Sequence, residues 1–176
     1  ILTIREKWEK FLGLTTTTIT EEYLVEKYPM VEMEENILIN ASYLPSPVLV
    51  EMIKNLKPNE SIVNEGEVIA FYTLDSQEEV DLESYTQIEL KEPVLQIKNT
   101  WDIFSLNEKA IEADFILLTE GRKSQPIPQG VFCVNPENIF IEEGATVLHS
   151  SLNASSGPIY IGKDAEIMEG CLVRGP

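Results

Sequence analysis

The chain is poor in cysteine, histidine and basic residues. Its 176 residues include two cysteines, one histidine, and 13 lysines and arginines against 30 acidic residues, which gives a formal net charge of −17 at pH 7. Cys133 and Cys171 are far apart and form no CxxC motif. A tetrahedral zinc site needs four nitrogen or sulfur ligands and is therefore not expected. This cysteine usage is typical of reduced thiols in a cytoplasmic protein.

The shortage of positive charge and the lack of long apolar runs exclude two further classes of protein. An acidic surface repels the phosphates of nucleic acids and of anionic membranes, so we expect neither as a partner. No apolar run approaches the roughly 18 residues of a membrane-spanning helix, and no signal peptide is evident. The length is sufficient for one large or two small domains, each with a buried core.

The first half of the chain alternates helical and strand-like segments. Apolar residues at helical spacing predict a helix over residues 1–12 that ends at Gly13. Ser46 and Pro47 have the residue types of an N-cap and a first helical turn, which predicts a second long helix after them. The other predicted segments are a short helix over 21–27, a buried strand over 36–40 and a hairpin of strands over 61–63 and 67–73.

The middle of the chain is less regular. Residues 75–92 are acidic and weakly patterned, and we interpret them as surface segments. Residues 94–97 form a candidate strand, and the apolar residues from Phe104 to Leu118 predict a helix that Gly121 ends. Residues 122–136 carry several prolines and are interpreted as a linker.

Beyond this linker the aliphatic residues recur with a period of six. Ile141 and Val147 are six residues apart, and the same spacing joins Ile161, Ile167 and Val173. Three hexads make one triangular coil of a left-handed parallel β-helix, with the aliphatic residue of each hexad pointing inward. One coil cannot bury its inner face alone, so such coils stack on each other.

A longer internal match supports the stacked coils. Residues 139–147 align with residues 159–167 at an offset of 20, and four aliphatic or alanine positions coincide. A coil should span about 18 residues, so two extra residues fall between the copies, and residues 153–158 are the obvious place for them. We therefore predict that residues 137–176 form the first coils of a left-handed β-helix.

Several phrases in the second half resemble a known family. These phrases are GPIYIG at 157–162, AEIMEG at 165–170 and RGP at 174–176, with TWDIFSLN at 100–107 and TEGR at 119–122 upstream. They are similar to sugar-1-phosphate nucleotidyltransferases with a C-terminal hexapeptide domain, such as N-acetylglucosamine-1-phosphate uridyltransferase/acetyltransferase. A branch in Bacteroidetes labelled glucose-1-phosphate nucleotidyltransferase is closer still. The resemblance is good from about residue 94 onward and looser before.

The resemblance implies a fold, a reaction and partners. It implies a partial Rossmann-like nucleotidyltransferase α/β domain over 1–121, a linker over 122–136, and hexapeptide repeats over 137–176. The reaction joins a nucleoside triphosphate to a sugar 1-phosphate and releases pyrophosphate, with Mg²⁺ neutralising the phosphates. The β-helix of the family usually forms trimers, so we expect a homo-oligomer.

The same resemblance leads us to expect part of a longer protein. The glycine-rich phosphate loop of the family would precede Ile1, and most of the β-helix would follow Pro176. We therefore expect nucleotide and sugar-phosphate binding to be lost or weakened in this piece, and the piece to be inactive by itself.

Four residues are candidates for a functional site. Asn40 follows a predicted strand, where α/β proteins gather ligands and where the family carries a metal-binding aspartate. A neutral amide binds magnesium poorly, so we assign Asn40 to substrate and assign no metal ligand. Arg122 is a candidate phosphate contact, and Arg5 could approach a nucleotide from the first helix. His149, the only histidine, could act as a general base in acyl transfer.

Two other functions compete with nucleotidyl transfer. A hexapeptide acyltransferase would bind acyl-coenzyme A between adjacent β-helices and would use His149. A scaffold or regulatory homologue would have lost its active site, which Asn40 in place of a carboxylate favours.

Overall fold

The computed structural model describes residues 1–31, 33–74 and 80–176, and its backbone divides into two compact units. One unit comprises Leu2–Lys98, and the other comprises Asn99–Pro176 together with Ile1. Part of the acidic segment that we interpret as surface, residues 75–79, lies outside the described residues. The domain limits at 121 and 136 stay a prediction.

Both long helices predicted in the first unit are present, but the first of them begins at Ile4 rather than at residue 1. Helix α1 spans Ile4–Leu12 after a capping box formed by Thr3 and Glu6, and it ends at Gly13, whose φ of 71° is left-handed. Helix α2 spans Pro47–Lys54, and the Ser46 hydroxyl accepts the hydrogen bond of its first turn. The helix predicted over 21–27 is wrong in extent, because only Glu22–Leu24 form a 3₁₀ turn.

The first unit contains a four-stranded mixed sheet in the order β1-β3-β2-β4. Antiparallel pairs join β3 to β1 and to β2, whereas β2 and β4 are parallel. The hairpin of β2 and β3 confirms the prediction. The strands are β1, Asn36–Ile39; β2, Glu60–Asn64; β3, Glu67–Thr73; and β4, Thr86–Glu89.

Three strand predictions in this unit need correction. Strand β1 is not buried, because it lies at the edge of the described sheet and Ile37 is 42% exposed. Strand β4 falls within the segment interpreted as surface; its single aliphatic residue, Ile88, gives no alternating pattern. Residues 94–97 form no strand and contribute only an isolated bridge between Tyr43 and Gln96.

One apolar core holds α1 and α2 against this sheet. The indole N–H of Trp8 donates to the carbonyl of Tyr43 at 3.0 Å, which satisfies the polar edge of a buried ring. The buried members of this core are Trp8, Tyr43, Leu49, Val50, Ile53, Leu56, Ile62, Ile69, Ala70 and Leu90.

The second unit starts with two helices rather than the one predicted. Helix α3 spans Asp102–Ser105, and helix α4 spans Asn107–Thr119. Leu106 separates them, and Phe104 is 85% exposed rather than part of a core face. Gly121, with a φ of 68°, follows the end of α4 as the sequence predicts.

The rest of the second unit is built from short parallel strands stacked in three separate ladders. One ladder has the order β5-β8-β11, the second joins β6 to β9, and the third joins β7 to β10. Strand β5 lies within the segment interpreted as a linker. The strands are β5, Phe132–Val134; β6, Ile139–Ile141; β7, Thr146–Val147; β8, Ser151–Asn153; β9, Ile159–Ile161; β10, Glu166–Ile167; and β11, Leu172–Arg174.

The internal sequence match has a direct structural counterpart. Ile139 pairs with Ile159, and Val147 pairs with Ile167, both at the offset of 20 residues. Each of these aliphatic residues therefore lies directly above the equivalent residue of the other copy. The buried core inside the ladders consists of Ile139, Ile141, Val147, Leu152, Ala154, Ile159 and Ile161.

Leu152 provides a test of this core, because it belongs to the middle strand of the three-stranded ladder and is fully buried. Leu152→Ala should lower the free energy of unfolding of this unit by about 2–5 kcal/mol, since it removes apolar contacts and leaves a cavity. Leu172→Ala, at an 85% exposed position, should change it by less than about 0.5 kcal/mol. Urea unfolding followed by circular dichroism measures both; equal effects would contradict the inward position of Leu152.

Candidate functional site

A cavity of about 540 Å³ lies within the unit of residues 2–98. Its walls are α1, the extended segment after α1 and the whole length of β1. Most of the lining is apolar, and Arg5, Asn36, Asn40 and three threonines supply its polar side chains. The lining residues are Ile4, Arg5, Trp8, Thr16, Thr17, Thr18, Ile19, Met30, Val31, Asn36, Ile37, Leu38, Ile39, Asn40, Ala41, Val68, Ile69, Phe71 and Leu82.

The outer edge of β1 in the described sheet carries backbone groups of residues that line this cavity. The N–H of Asn40 donates to the carbonyl of Ile69 at 2.7 Å, so these two residues form a hydrogen-bonded pair of the antiparallel ladder. Such pairs alternate along a strand with pairs whose N–H and C=O groups point to the other side. Ile37 and Ile39 are in the second set, and both line the cavity.

Asn40 stands at the carboxyl end of β1, where the sequence places it as a substrate contact. Its Oδ1 accepts hydrogen bonds from the backbone N–H and the hydroxyl of Ser42, at 3.0 and 2.8 Å. Its Nδ2 makes a long contact of 3.5 Å to the carbonyl of Val68. The side chain thus closes an Asx turn while it lines the cavity.

Arg5 lies on the helical wall of the same cavity. Its Nε forms an ion pair with Glu9 at 3.0 Å, and its Nη2 donates to the carbonyl of Thr16 at 2.7 Å. Glu9 accepts from the backbone N–H of Thr16 as well, and this bond together with Arg5 lowers the pKa of the Glu9 carboxyl. The structure therefore brings Arg5 and Asn40, two residues that the sequence singles out, to one cavity.

Sequence reasoning missed a polar cluster centred on Glu67, the first residue of β3. The hydroxyl of Tyr43 and the amide nitrogen of Gln96 each donate to Glu67 Oε2 at 2.9 Å, and Lys98 pairs with the same oxygen at 3.4 Å. The donation from Gln96, with that from Tyr43, lowers the pKa of Glu67. Burial, with the bond to Glu67, raises the pKa of Tyr43 to about 12. The cluster joins residues distant in sequence, so no local motif signals it.

Arg122 lies in the other unit, and its guanidinium is engaged by that unit. It pairs with Glu142, donates to the Tyr160 hydroxyl at 3.3 Å and to the Leu118 carbonyl at 2.7 Å, and lies 5.1 Å from the ring centre of Phe140. These contacts attach the end of α4 to the ladder of β6 and β9. A phosphate contact by Arg122 stays a prediction.

Glu142 is the centre of this second network. Its Oε1 accepts from Tyr160 at 2.6 Å, and its Oε2 accepts from the backbone N–H of Lys163 at 2.6 Å. The hydrogen bond from Tyr160, followed by that from Arg122, lowers the pKa of Glu142 from an ordinary 4.5 to about 2. The carboxylate therefore stays ionised through the whole physiological range.

His149 occupies an exposed turn between β7 and β8, with a positive φ of 36°. Its ring lies against Gly130, where an added Cβ would come within 2.7 Å of Nδ1. Gly130 thus leaves room for the ring. Within the described ranges no residue forms a hydrogen bond to the ring that would orient it. A role as general base stays a prediction.

The residues described do not supply an evident metal site or membrane span. Within 1–31, 33–74 and 80–176, no three histidine, cysteine or acidic side chains come together in a way that could hold a metal ion. In the same ranges no helix combines the length and the apolar character needed to cross a bilayer.

The fold is a mixed α/β arrangement with a cavity along the edge strand β1. Comparison with protein families is consistent with this. The model of the sugar nucleotidyl transferase family matches residues 1–123, more than two thirds of the chain. The chain therefore belongs to the sugar nucleotidyl transferase family. No curated protein and no solved structure matches it.

The Glu142 network gives a prediction for stability against pH. The folded pKa of Glu142 lies below its unfolded value, so its contribution is complete above about pH 5 and disappears as the pH falls toward 2. Glu142→Gln should destabilise the second unit by about 1–2 kcal/mol at pH 7, since it removes the charge from these hydrogen bonds. The difference from the original protein should shrink steadily in thermal unfolding between pH 5 and 2. Glu143→Gln, at the exposed neighbour, should show neither effect; a pH-independent difference for Glu142→Gln would contradict the assignment.

Proposed function

We propose that the chain is part of an enzyme that joins a nucleoside triphosphate to a sugar 1-phosphate and releases pyrophosphate. The family match supports this reaction class, and the cavity beside β1 carries the proposal for the site. A sugar 1-phosphate has a carbon skeleton for the apolar part of the cavity and an anionic group for its few polar donors. We assign the sugar-phosphate substrate to this cavity.

The residues present can position a phosphate. In the reaction, an oxygen of the sugar phosphate forms a bond to the α-phosphorus of the nucleotide, and the bond from that phosphorus to the departing pyrophosphate breaks. Catalysis of such a step is mostly alignment and stabilisation of negative charge. Arg5 offers a guanidinium whose Nε already pairs with Glu9, Asn40 offers an amide, and the outer edge of β1 in the described sheet offers the N–H groups of Ile37 and Ile39.

Magnesium belongs to the proposed reaction, where it would neutralise the phosphates of the nucleotide. The residues described here do not fit a magnesium site at Asn40. Magnesium prefers carboxylate oxygens, and the only side-chain oxygen of Asn40 already accepts two hydrogen bonds. We therefore derive no step of the chemistry through a metal held by these residues.

Arg5 provides the first test of the site. Arg5→Ala should weaken the binding of glucose 1-phosphate by about tenfold, because one charge-assisted hydrogen bond is worth about 1.5–3 kcal/mol before solvent screening reduces it. Lys10→Ala is the matched control, because Lys10 is an exposed cation of the same helix that does not line the cavity. Isothermal titration calorimetry on a longer protein that contains this chain measures both; equal losses would indicate general charge attraction rather than a site.

The reaction itself is tested by pyrophosphate release from a longer protein that contains this chain. With a nucleoside triphosphate and glucose 1-phosphate, we expect release that depends on both substrates and falls at least severalfold in Arg5→Ala. Release without the sugar phosphate would contradict the transfer reaction. Substrate binding without any release, over a panel of bases and sugar phosphates, would favour the scaffold alternative.

We also propose that the three parallel ladders are stacked coils of a left-handed β-helix, and that copies of the protein associate through it as a trimer. The in-register stacking of β5, β8 and β11 supports the coils. An outward row of this ladder supports the association: Phe132 and Leu172 flank Ser151 in register, and both are strongly exposed. Exposed apolar side chains grouped on one surface in this way are typical of a surface that a partner covers.

The association is tested by light scattering of the purified chain. We expect a mass near three times that of one chain, and Leu172→Glu should reduce it to that of one chain, because a charge would be buried in the interface. Phe104→Ser is a matched control, since Phe104 is equally exposed but lies in α3. A trimer that persists in Leu172→Glu would place the interface elsewhere.

A further inference from the structure

The orientation of the Asn40 amide is fixed by its neighbour Ser42. The backbone N–H of Ser42 can only donate, and it lies 3.0 Å from one terminal atom of Asn40. That atom must therefore be the carbonyl oxygen, and the other terminal atom must be the nitrogen. The choice between the two orientations thus rests on a backbone group whose hydrogen cannot move.

The hydroxyl of Ser42 adds a second bond in the same direction. Gln96 Nε2 lies 3.3 Å from Ser42 Oγ, and an amide nitrogen is a donor only. Ser42 Oγ accordingly accepts from Gln96, which directs its own proton to Asn40 Oδ1 at 2.8 Å. The chain of hydrogen bonds runs from Gln96 through Ser42 to Asn40.

Glu67 determines the orientation of Gln96. An ionised carboxylate only accepts, so the atom of Gln96 that lies 2.9 Å from Glu67 is the amide nitrogen. Backbone hydrogen bonds hold the two segments together on both sides of this contact: Ile97 N–H donates to the Ser42 carbonyl at 2.8 Å, and Leu44 N–H donates to the Leu95 carbonyl at 2.9 Å. The relay is therefore built on a paired backbone rather than on a free loop.

We propose that Glu67, Gln96 and Ser42 are positioning residues, which hold Asn40 so that its amide nitrogen is the group offered to the cavity. The site then recognises an acceptor oxygen, namely a phosphate oxygen of the sugar 1-phosphate, and does not use Asn40 as a metal ligand. This inference rests on the proposed function, which assigns that substrate to the cavity. It adds that Asn40 contacts the ligand as a hydrogen-bond donor, and it names the residues that determine this orientation.

Hydrogen-bond counting supports this polarity. An amide oxygen has two lone pairs, and the two Ser42 donors occupy both. A cation at this point would have to displace one of these bonds. The Nδ2 group has two hydrogens, and the contact it makes among the described residues, to the Val68 carbonyl, is long at 3.5 Å. A donor therefore remains for a ligand oxygen in the cavity that Asn40 lines.

Asn40→Asp tests the polarity, because the carboxylate retains the acceptors for Ser42 and replaces the donor by a negative charge. We expect glucose 1-phosphate to bind at least about tenfold more weakly in calorimetry without metal, from the loss of one hydrogen bond to a charged group. We also expect Mn²⁺ binding to become measurable by paramagnetic broadening in this variant alone. Unchanged or tighter glucose 1-phosphate binding, or Mn²⁺ binding already present with Asn40, would overturn the proposal.

Ser42→Ala and Ser42→Thr test the relay. Without the hydroxyl, the Asn40 side chain should rotate among rotamers, so its χ1 scalar couplings in NMR spectra should become averaged. Glucose 1-phosphate binding should weaken by about threefold to tenfold. Threonine at position 42 should restore both the couplings and the affinity. A structural role alone would lower the unfolding temperature without moving the couplings. If Ser42→Ala leaves the couplings and the affinity unchanged, the relay does not position Asn40.

Comparing glucose 1-phosphate, inorganic phosphate and glucose as ligands separates this inference from the proposed function. Binding of glucose 1-phosphate and of inorganic phosphate, with no binding of glucose, supports a phosphate oxygen as the acceptor. Binding of glucose and glucose 1-phosphate with equal affinity overturns that assignment. If no probe binds a longer protein that contains this chain, the assignment of sugar phosphate to this cavity fails. The Asn40 couplings with and without the Ser42 hydroxyl still confirm or refute the relay in that case.

Discussion

The register between β1 and β3 is the constraint on which the candidate site depends. The bond from the Asn40 N–H to the Ile69 carbonyl places Asn40 at the end of β1. The same register turns the backbone groups of Ile37 and Ile39 to the free side of the strand. A shift by one residue would reverse these directions, and it would present the groups of Leu38 to the cavity instead. The register therefore determines both the position of Asn40 and the backbone groups that the strand presents at the cavity.

In each unit of this acidic chain, one carboxylate is the centre of a network of hydrogen bonds. Glu67 collects donors from Tyr43 and Gln96, and Glu142 collects donors from Tyr160 and Arg122. Both have lowered pKa values because each accepts several hydrogen bonds. The two networks differ in role: one is linked through Gln96 and Ser42 to Asn40 at the cavity beside β1, and the other fixes a helix end to a ladder.

Features that depend on local patterns could be predicted, and features that depend on distant contacts could not. Gly13 at the end of α1, the Ser46 cap of α2 and the repeat that stacks Ile139 on Ile159 are signalled by residues close in sequence, whereas the start of α1 at Ile4 was not predicted. Strand β4 is recognised only through its parallel partner β2, because one aliphatic residue makes no pattern. Asn40 could be singled out from its place after a strand. The relay behind it could not, since Glu67 and Gln96 lie 29 residues apart.

The account as a whole depends on what the cavity beside β1 binds. A crystal structure of the chain with glucose 1-phosphate tests this most directly. We predict the phosphate within hydrogen-bond distance of Asn40 Nδ2 and near the Arg5 guanidinium, with both Ser42 donors still directed to Asn40 Oδ1. A phosphate bound in the other unit beside Arg122, or Asn40 turned so that its oxygen faces a metal ion, would contradict the account.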